Sequence, residues 1–218
     1  MLGPAMTQDL TAFWLANITP EWARDAYRFH KSTAENDPHI WPRTEDQIRT
    51  FIEDGSLFGA WREDKLVALC YAAFSEKENV WEIGGLTVDP SVRAQGIGTI
   101  LVRFTLAHTL VYNQPWANGQ EIVSHVHEDN NKPRGILDKV GFKYSRPVEL
   151  LDDEAPRSMK RNSEGKVVGH EFEYTPEGLK SLAEWFKQDF DKLNIEFKLG
   201  LANVDHVRAA LDEMASQY

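Results

Sequence analysis

Arg93-Ala94-Gln95-Gly96-Ile97-Gly98 sets an arginine and two glycines in one short stretch, just ahead of an apolar-periodic run. Glycine lets a backbone approach a ligand closely, and the first amides of a helix have no intrahelical acceptor. Residues 94–98 therefore suit a bound diphosphate held by backbone N–H groups, with Arg93 adding a charged contact. The chain has 24 Lys and Arg against 34 Asp and Glu, a net charge of −10, so an anion needs such local donors. A helix start packed tightly for structural reasons would have the same sequence. A second group of chemically able side chains flanks this stretch. His125 and His127 alternate along Ile122-Val123-Ser124-His125-Val126-His127, and Glu82 lies on the extended run ahead of the loop. Imidazole titrates near neutrality, which makes His125 and His127 candidates for general-base work by residue type. For each, the alternative is a solvated or structural side chain.

Hydrophobic periodicity outlines the elements that must position these groups. After a loose lead-in over residues 1–10, Phe13-Trp14-Leu15 predicts a first strand. Thr19-Pro20 predicts one helix start, and Thr44 with Gln47 predicts another with a capping box. Residues 57–61 and 66–74 flank a polar turn and predict a hairpin. The next strand, 80–88, contains Gly84-Gly85, a mark of a bulge or of something lying close against the backbone. Glu82 shares strand parity with Gly84, Leu86 and Val88 unless such a bulge breaks it. A helix after Gly98, a loop over 115–119, a strand over 122–126 and a helix from Pro133 to Gly141 follow. Phe142 then opens an extended segment. Beyond a polar segment over 152–165, the pattern predicts a strand over 167–174, a helix begun by Thr175-Pro176, a strand within 195–201 and a final helix. This alternation is that of an α/β or α+β layered fold. Residues 1–174 are expected to form the main domain, and 175–218 a C-terminal helix-strand-helix extension on that domain or on a partner subunit of a homodimer.

Composition narrows the function classes. The acidic balance argues against nucleic acid as a partner and is compatible with an amine-bearing one. Cys70 is the single cysteine, which excludes an intrachain disulfide and a cysteine metal cluster. Its place inside an apolar run predicts a buried thiol, and no metal site is expected. No apolar stretch is long enough to span a bilayer, and no basic-then-apolar segment opens the sequence. The expectation is a cytoplasmic protein with no membrane partner.

Val88-Asp89-Pro90 with Arg93-Ala94-Gln95-Gly96-Ile97-Gly98, and farther on Asn130 with Lys139-Val140-Gly141-Phe142, resemble two motifs of the GNAT superfamily, the acyl-CoA-dependent N-acyltransferases. The first motif there reads Arg/Gln-x-x-Gly-x-Gly/Ala after a strand ending in Val-x-Pro. Ala94 stands where a glycine is usual. A dinucleotide site fits less well, because its glycine loop belongs directly after the first strand of a βαβ unit. The resemblance covers residues 11–150 and leaves the segment after 175 unaccounted for. It implies a mixed, mostly antiparallel central sheet flanked by helices, with splayed middle strands. It implies acetyl-CoA as cosubstrate, its diphosphate on Arg93, Ala94, Gln95, Gly96, Ile97, Gly98 and Thr99. The pantetheine arm would lie along the backbone of Leu86 and Val88, with Asn130 beside it.

The resemblance also implies direct attack by a primary amine of a small molecule, amino acid or peptide in a ternary complex. Some members carry a base glutamate at the position of Glu82 and others at that of His125. The general-acid tyrosine common in the family falls on Leu137, which leaves Tyr144, water or an unassisted thiolate. The acceptor is expected near the loop His39-Ile40-Trp41, with Trp41, Phe74 and Trp116 as candidate substrate-binding residues. Two other readings stay open: a CoA-binding module that has lost transfer activity, and an enzyme that acetylates lysines or N-termini of proteins.

Overall fold

The computed structural model describes residues 13–150, 159–193, 195–197 and 204–218. The lead-in over 1–10, the first half of the polar segment and the end of the 195–201 strand lie outside the described residues. The first strand, β1 (Phe13–Asn17), lies antiparallel to β2 (Leu57–Arg62). The predicted hairpin joins β2 to β3 (Lys65–Ser75), and β3 pairs antiparallel with β4 (Val80–Val88). β5 (Glu121–His127) runs parallel to the first part of β4. β6 (Phe142–Leu150) and β7 (Val167–Tyr174) are antiparallel, and β7 pairs antiparallel with β5. β8 (Glu196–Phe197) lies parallel to β1, giving one eight-stranded sheet in the order β6-β7-β5-β4-β3-β2-β1-β8. This is the mixed, mostly antiparallel sheet that the family resemblance implied.

Helices cover both faces. α1 (Ala23–Asn36) and α2 (Glu45–Glu53) enclose one core with Ile48, Ile52, Trp61, Leu69 and Tyr71. α3 (Ile97–His108), α4 (Asn131–Val140), α5 (Pro176–Gln188) and α6 (Val204–Gln217) enclose the other, around Leu101, Phe104, Phe142, Phe186 and Leu211. The segment after 175 thus contributes to the same apolar core as α3. The capping box forms as predicted: Gln47 N–H donates to Thr44 Oγ1 (3.2 Å) and Thr44 N–H to Gln47 Oε1 (2.9 Å). It fixes the entry of α2 directly after Arg43. α4 starts before Pro133, at Asn131 with Asn130 as its N-cap, because proline is tolerated within a first helical turn. Among the described residues, no helix is long and apolar enough to cross a membrane.

Two irregularities in β4 position the site. Its pairing with β5 stops at Glu82↔Val123, and beyond that point β5 continues with β7 while β4 continues with β3. The middle strands therefore splay. The register between β3 and β4 also slips between Leu69↔Thr87 and Tyr71↔Gly84, which leaves one extra residue in β4 and Gly85 at φ +61°. This is the bulge that Gly84-Gly85 marked, and it breaks the parity: Val88 stands opposite Ala68, on the α3 side, whereas Glu82 stands opposite Ala73, on the α1–α2 side. The paired glycines admit the Tyr71 ring, since a Cβ on Gly84 would lie 2.8 Å from the Tyr71 hydroxyl.

Candidate active site

The glycine loop begins after a turn at Pro90–Val92, which Asp89 ties down by accepting from Ser91 N–H (2.9 Å) and Lys65 Nζ (2.7 Å). Lys65 and Ser91 hold the Asp89 carboxyl down at about 2. Ala94 and Gly96 both adopt positive φ (63° and 81°), and Gly96 is the N-cap of α3. The helix's first bond runs from Ile100 N–H to the Gly96 carbonyl (3.1 Å). The amides of Ile97, Gly98 and Thr99 precede it and have no acceptor within the helix. Gly98 is buried against β4: a Cβ there would lie 3.3 Å from the Val88 side chain. Arg93 Nε donates to the Val88 carbonyl (3.1 Å), so this arginine clamps the loop to the end of β4. Asp89 N–H donates to the Val67 carbonyl, so Val88 opposite Ala68 is a non-hydrogen-bonded pair. In an antiparallel ladder such a residue turns its own N–H and C=O away from the partner strand, here into the gap beside β4. Backbone donors at the helix start and along the gap fit a diphosphate and an extended amide-bearing arm.

A cavity of about 320 Å³ occupies the gap, lined among others by Leu86, Asn130, His125, Glu82, Tyr71 and Trp41. Register sets Glu171 of β7 opposite His125, and His125 Nε2 lies 3.1 Å from Glu171 Oε2. A carboxylate only accepts, so a neutral imidazole that donates to Glu171 carries its proton on Nε2 and offers Nδ1 as its basic nitrogen. Nδ1 faces Glu82 Oε2 at 3.8 Å. Arg146 holds Glu171 through two hydrogen bonds (2.7 and 3.0 Å), and with His125 it lowers the Glu171 carboxyl despite burial. On the other side the Tyr71 hydroxyl donates to Glu82 Oε1 (3.3 Å) and accepts from Arg43. Burial alone would push His125 down, but the two carboxylates outweigh it and raise its pKa above the ordinary value. Burial would push Glu82 up, but His125, Arg43 and Tyr71 hold it low. Burial pushes the Tyr71 phenol far up, so it stays protonated.

The other predicted residues divide. His127 is buried and both ring nitrogens are bonded: Nδ1 accepts from Asp129 N–H (3.2 Å), and Nε2 donates to the Lys160 carbonyl (2.9 Å). Trp41 lines the cavity beside Met159 and Val167. Phe74 does not: it sits on β3 opposite Trp81, where β4 and β5 are still paired, with its ring 5.4 Å from that indole. Trp116 also lies elsewhere, stacked on Tyr174 at the end of β7 (5.9 Å) and edge-on to Tyr218 just after α6 (5.1 Å). Tyr144 is exposed and turned toward His170 and Phe172, away from the cavity, while Leu137 lines it. Cys70 is buried as expected, its thiol pushed up to about 12. Arg43, Tyr71 and Glu171 escaped sequence reading. Only the glycine pair hinted at Tyr71, as something close against the backbone.

The acetyltransferase (GNAT) family model matches residues 18–142, more than half of the chain. A curated relative, peptidyl-lysine N-acetyltransferase YjaB of Escherichia coli, is 28% identical over 109 residues, covering 50% of this chain. The match spans 63% of that relative's length, less than two thirds. The fold is similar to the ribosomal-protein-S18-alanine N-acetyltransferase of Escherichia coli, with a TM-score of 0.53 at 14% identity. That alignment covers 74% of this chain and 92% of the other. It is also similar to yncA of Salmonella typhimurium, solved with its cofactor acetyl-CoA, with a TM-score of 0.56 at 10% identity over 75% of this chain and 94% of the other. Glycine loop, splayed strands and family match coincide on the same residues, and the chain belongs to the acetyltransferase (GNAT) family.

Proposed function

We propose that the protein transfers the acetyl group of acetyl-CoA to a primary amine, with His125 as general base and Glu82 beside it. One observation carries this reading: His125 lies in the strand gap between two carboxylates, Nε2 3.1 Å from Glu171 and Nδ1 turned toward Glu82. Acetyl-CoA, when bound, supplies the acetyl group as an activated thioester. The α3 amides with Arg93 would hold its diphosphate, and the Val88 N–H would face the oxyanion that develops during transfer. An alkylamine arrives protonated at neutral pH and must lose a proton before it attacks. Glu82 attracts the ammonium, and His125 Nδ1 takes the proton, favoured by its raised pKa. His127 is assigned a structural role, since neither nitrogen is available without breaking a backbone bond. Leu137 has no proton to give and Tyr144 faces away, so the second proton, which the nitrogen loses after attack, passes through water to the leaving thiolate. A peptidyl-lysine acceptor is the second reading, supported by what the curated relative is named for. Thiol release from acetyl-CoA, measured with small amines and with a lysine peptide, tests both. Turnover with neither acceptor would leave only a CoA-binding role.

The pH profile gives a further expectation. The base must be neutral, so kcat/KM should fall as pH drops through the raised His125 pKa, above the range of an ordinary histidine near about 6.5. Glu171→Gln removes one of the charges that hold this proton, so the acid limb should move to lower pH. A limb that stays in place or moves upward would assign the titration to another group.

A further inference from the structure

Arg43 stands apart among the charged groups of the cavity. Among the described residues its guanidinium makes one hydrogen bond, to the Tyr71 hydroxyl, lies over the Tyr71 (5.1 Å) and Phe51 (5.9 Å) rings, and has no ion pair. A guanidinium carries five donors in a fixed fork that matches a carboxylate. Glu171, by contrast, is already taken by Arg146. Arg43 lines the cavity, so its remaining donors meet whatever enters there. Glu82 is close but indirect. The Tyr71 hydroxyl stands between the two, so they are separated by two hydrogen-bond lengths at most, roughly 6 Å. An amine one or two carbons from a carboxylate spans such a gap. The wall beyond is apolar, formed by Ile40, Trp41, Val148, Met159 and Val167.

We infer that the acceptor is a free apolar amino acid. Its carboxylate would lie on Arg43, its amino group toward Glu82 and His125, and its side chain against Ile40, Trp41 and Met159. Arg43 is then a specificity-determining residue. A peptidyl lysine or a peptide N-terminus brings no carboxylate near its amine and would leave the fork unmatched. The inference deepens the acetyl-transfer reading and rests on it for the reaction, though not for binding.

Calorimetric titration separates the two. The probes are L-phenylalanine and L-leucine against L-phenylalaninamide and L-leucinamide, without acetyl-CoA. The wild type should bind each acid about thirtyfold tighter than its amide, the scale of a charge-assisted pair in a partly dry site. In Arg43→Gln the acid-to-amide ratio should fall to about threefold or less, and Arg43→Lys should restore part of it. Affinity for CoA serves as the control for folding. Should Arg43→Gln fail that control, the wild-type ratio and Arg43→Lys carry the test. Equal binding of acid and amide, a ratio that survives Arg43→Gln, or no binding of either acid at millimolar concentration would overturn the inference. Arg43-dependent binding without amine-dependent thiol release would instead overturn the acetyl-transfer reading alone. Turnover indifferent to the carboxylate would overturn the amino-acid inference alone.

Discussion

Replacing His125 with alanine should lower kcat for amine-dependent thiol release by about a thousandfold, while affinity for CoA stays the same. The size follows from the contribution of a positioned general base, typically 10²–10⁴-fold. The asymmetry follows from place: His125 lies in the middle of β5, whereas the amides proposed to hold the diphosphate lie at the start of α3. Glu82→Gln should act through the same proton. It keeps the shape and a Tyr71 partner but loses the charge that attracts the ammonium and raises the imidazole pKa. A loss of about a hundredfold is expected, and the double variant should fall little below His125→Ala, as groups that work as a unit are not additive. Steady-state kinetics on the three variants decide this. If His125→Ala kept turnover within about threefold of the wild type, the base would lie elsewhere.

The second large effect concerns stability. Gly141 closes α4 at φ +103°, and a Cβ there would overlap the Gly178 Cα in the first turn of α5. Thr175 Oγ1 donates to the Gly141 carbonyl (3.1 Å) and accepts from Gly178 N–H (3.1 Å), so two backbones meet at this point with no side chain between them. Gly141→Ala combines left-handed strain with an overlap that only backbone movement relieves, and should destabilise the fold by at least about 3 kcal/mol. Gly165→Ala is the control. Its φ is +80° but nothing lies within 4 Å of a Cβ there, so only the strain remains, about 1–2 kcal/mol. Urea unfolding of both variants measures the difference. Equal losses would mean that α5 does not press on the end of α4.

Much of this molecule is legible in its sequence because local rules govern it. The capping box at Thr44, the hairpin about residues 62–65 and the proline-led helix after Thr175 depend on neighbours in the chain. The glycine loop is legible for the same reason, since a helix start needs only its own backbone to gather an anion. The acceptor side is not. Glu171 reaches His125 through the β5–β7 register, and Arg43 reaches Glu82 through the Tyr71 hydroxyl. Such contacts span tens of residues and leave no local mark. Strand parity alone does not place Glu82, because a bulge one residue wide, which the glycine pair marks without fixing its register, reverses every face beyond it. Phe74 and Trp116 misled as aromatics near the right elements, since aromatic rings also gather by stacking on one another.

The central claim is that the backbone amides before and within the first turn of α3 hold the diphosphate of acetyl-CoA. Amide resonances of the ¹⁵N-labelled protein, followed during titration with CoA, test it most directly. Gly96, Ile97, Gly98 and Thr99 should show the largest shifts, and dephosphorylated pantetheine, which lacks the diphosphate, should leave them in place. Saturable CoA binding that leaves these four amides unmoved, or no CoA binding by the folded chain, would contradict it.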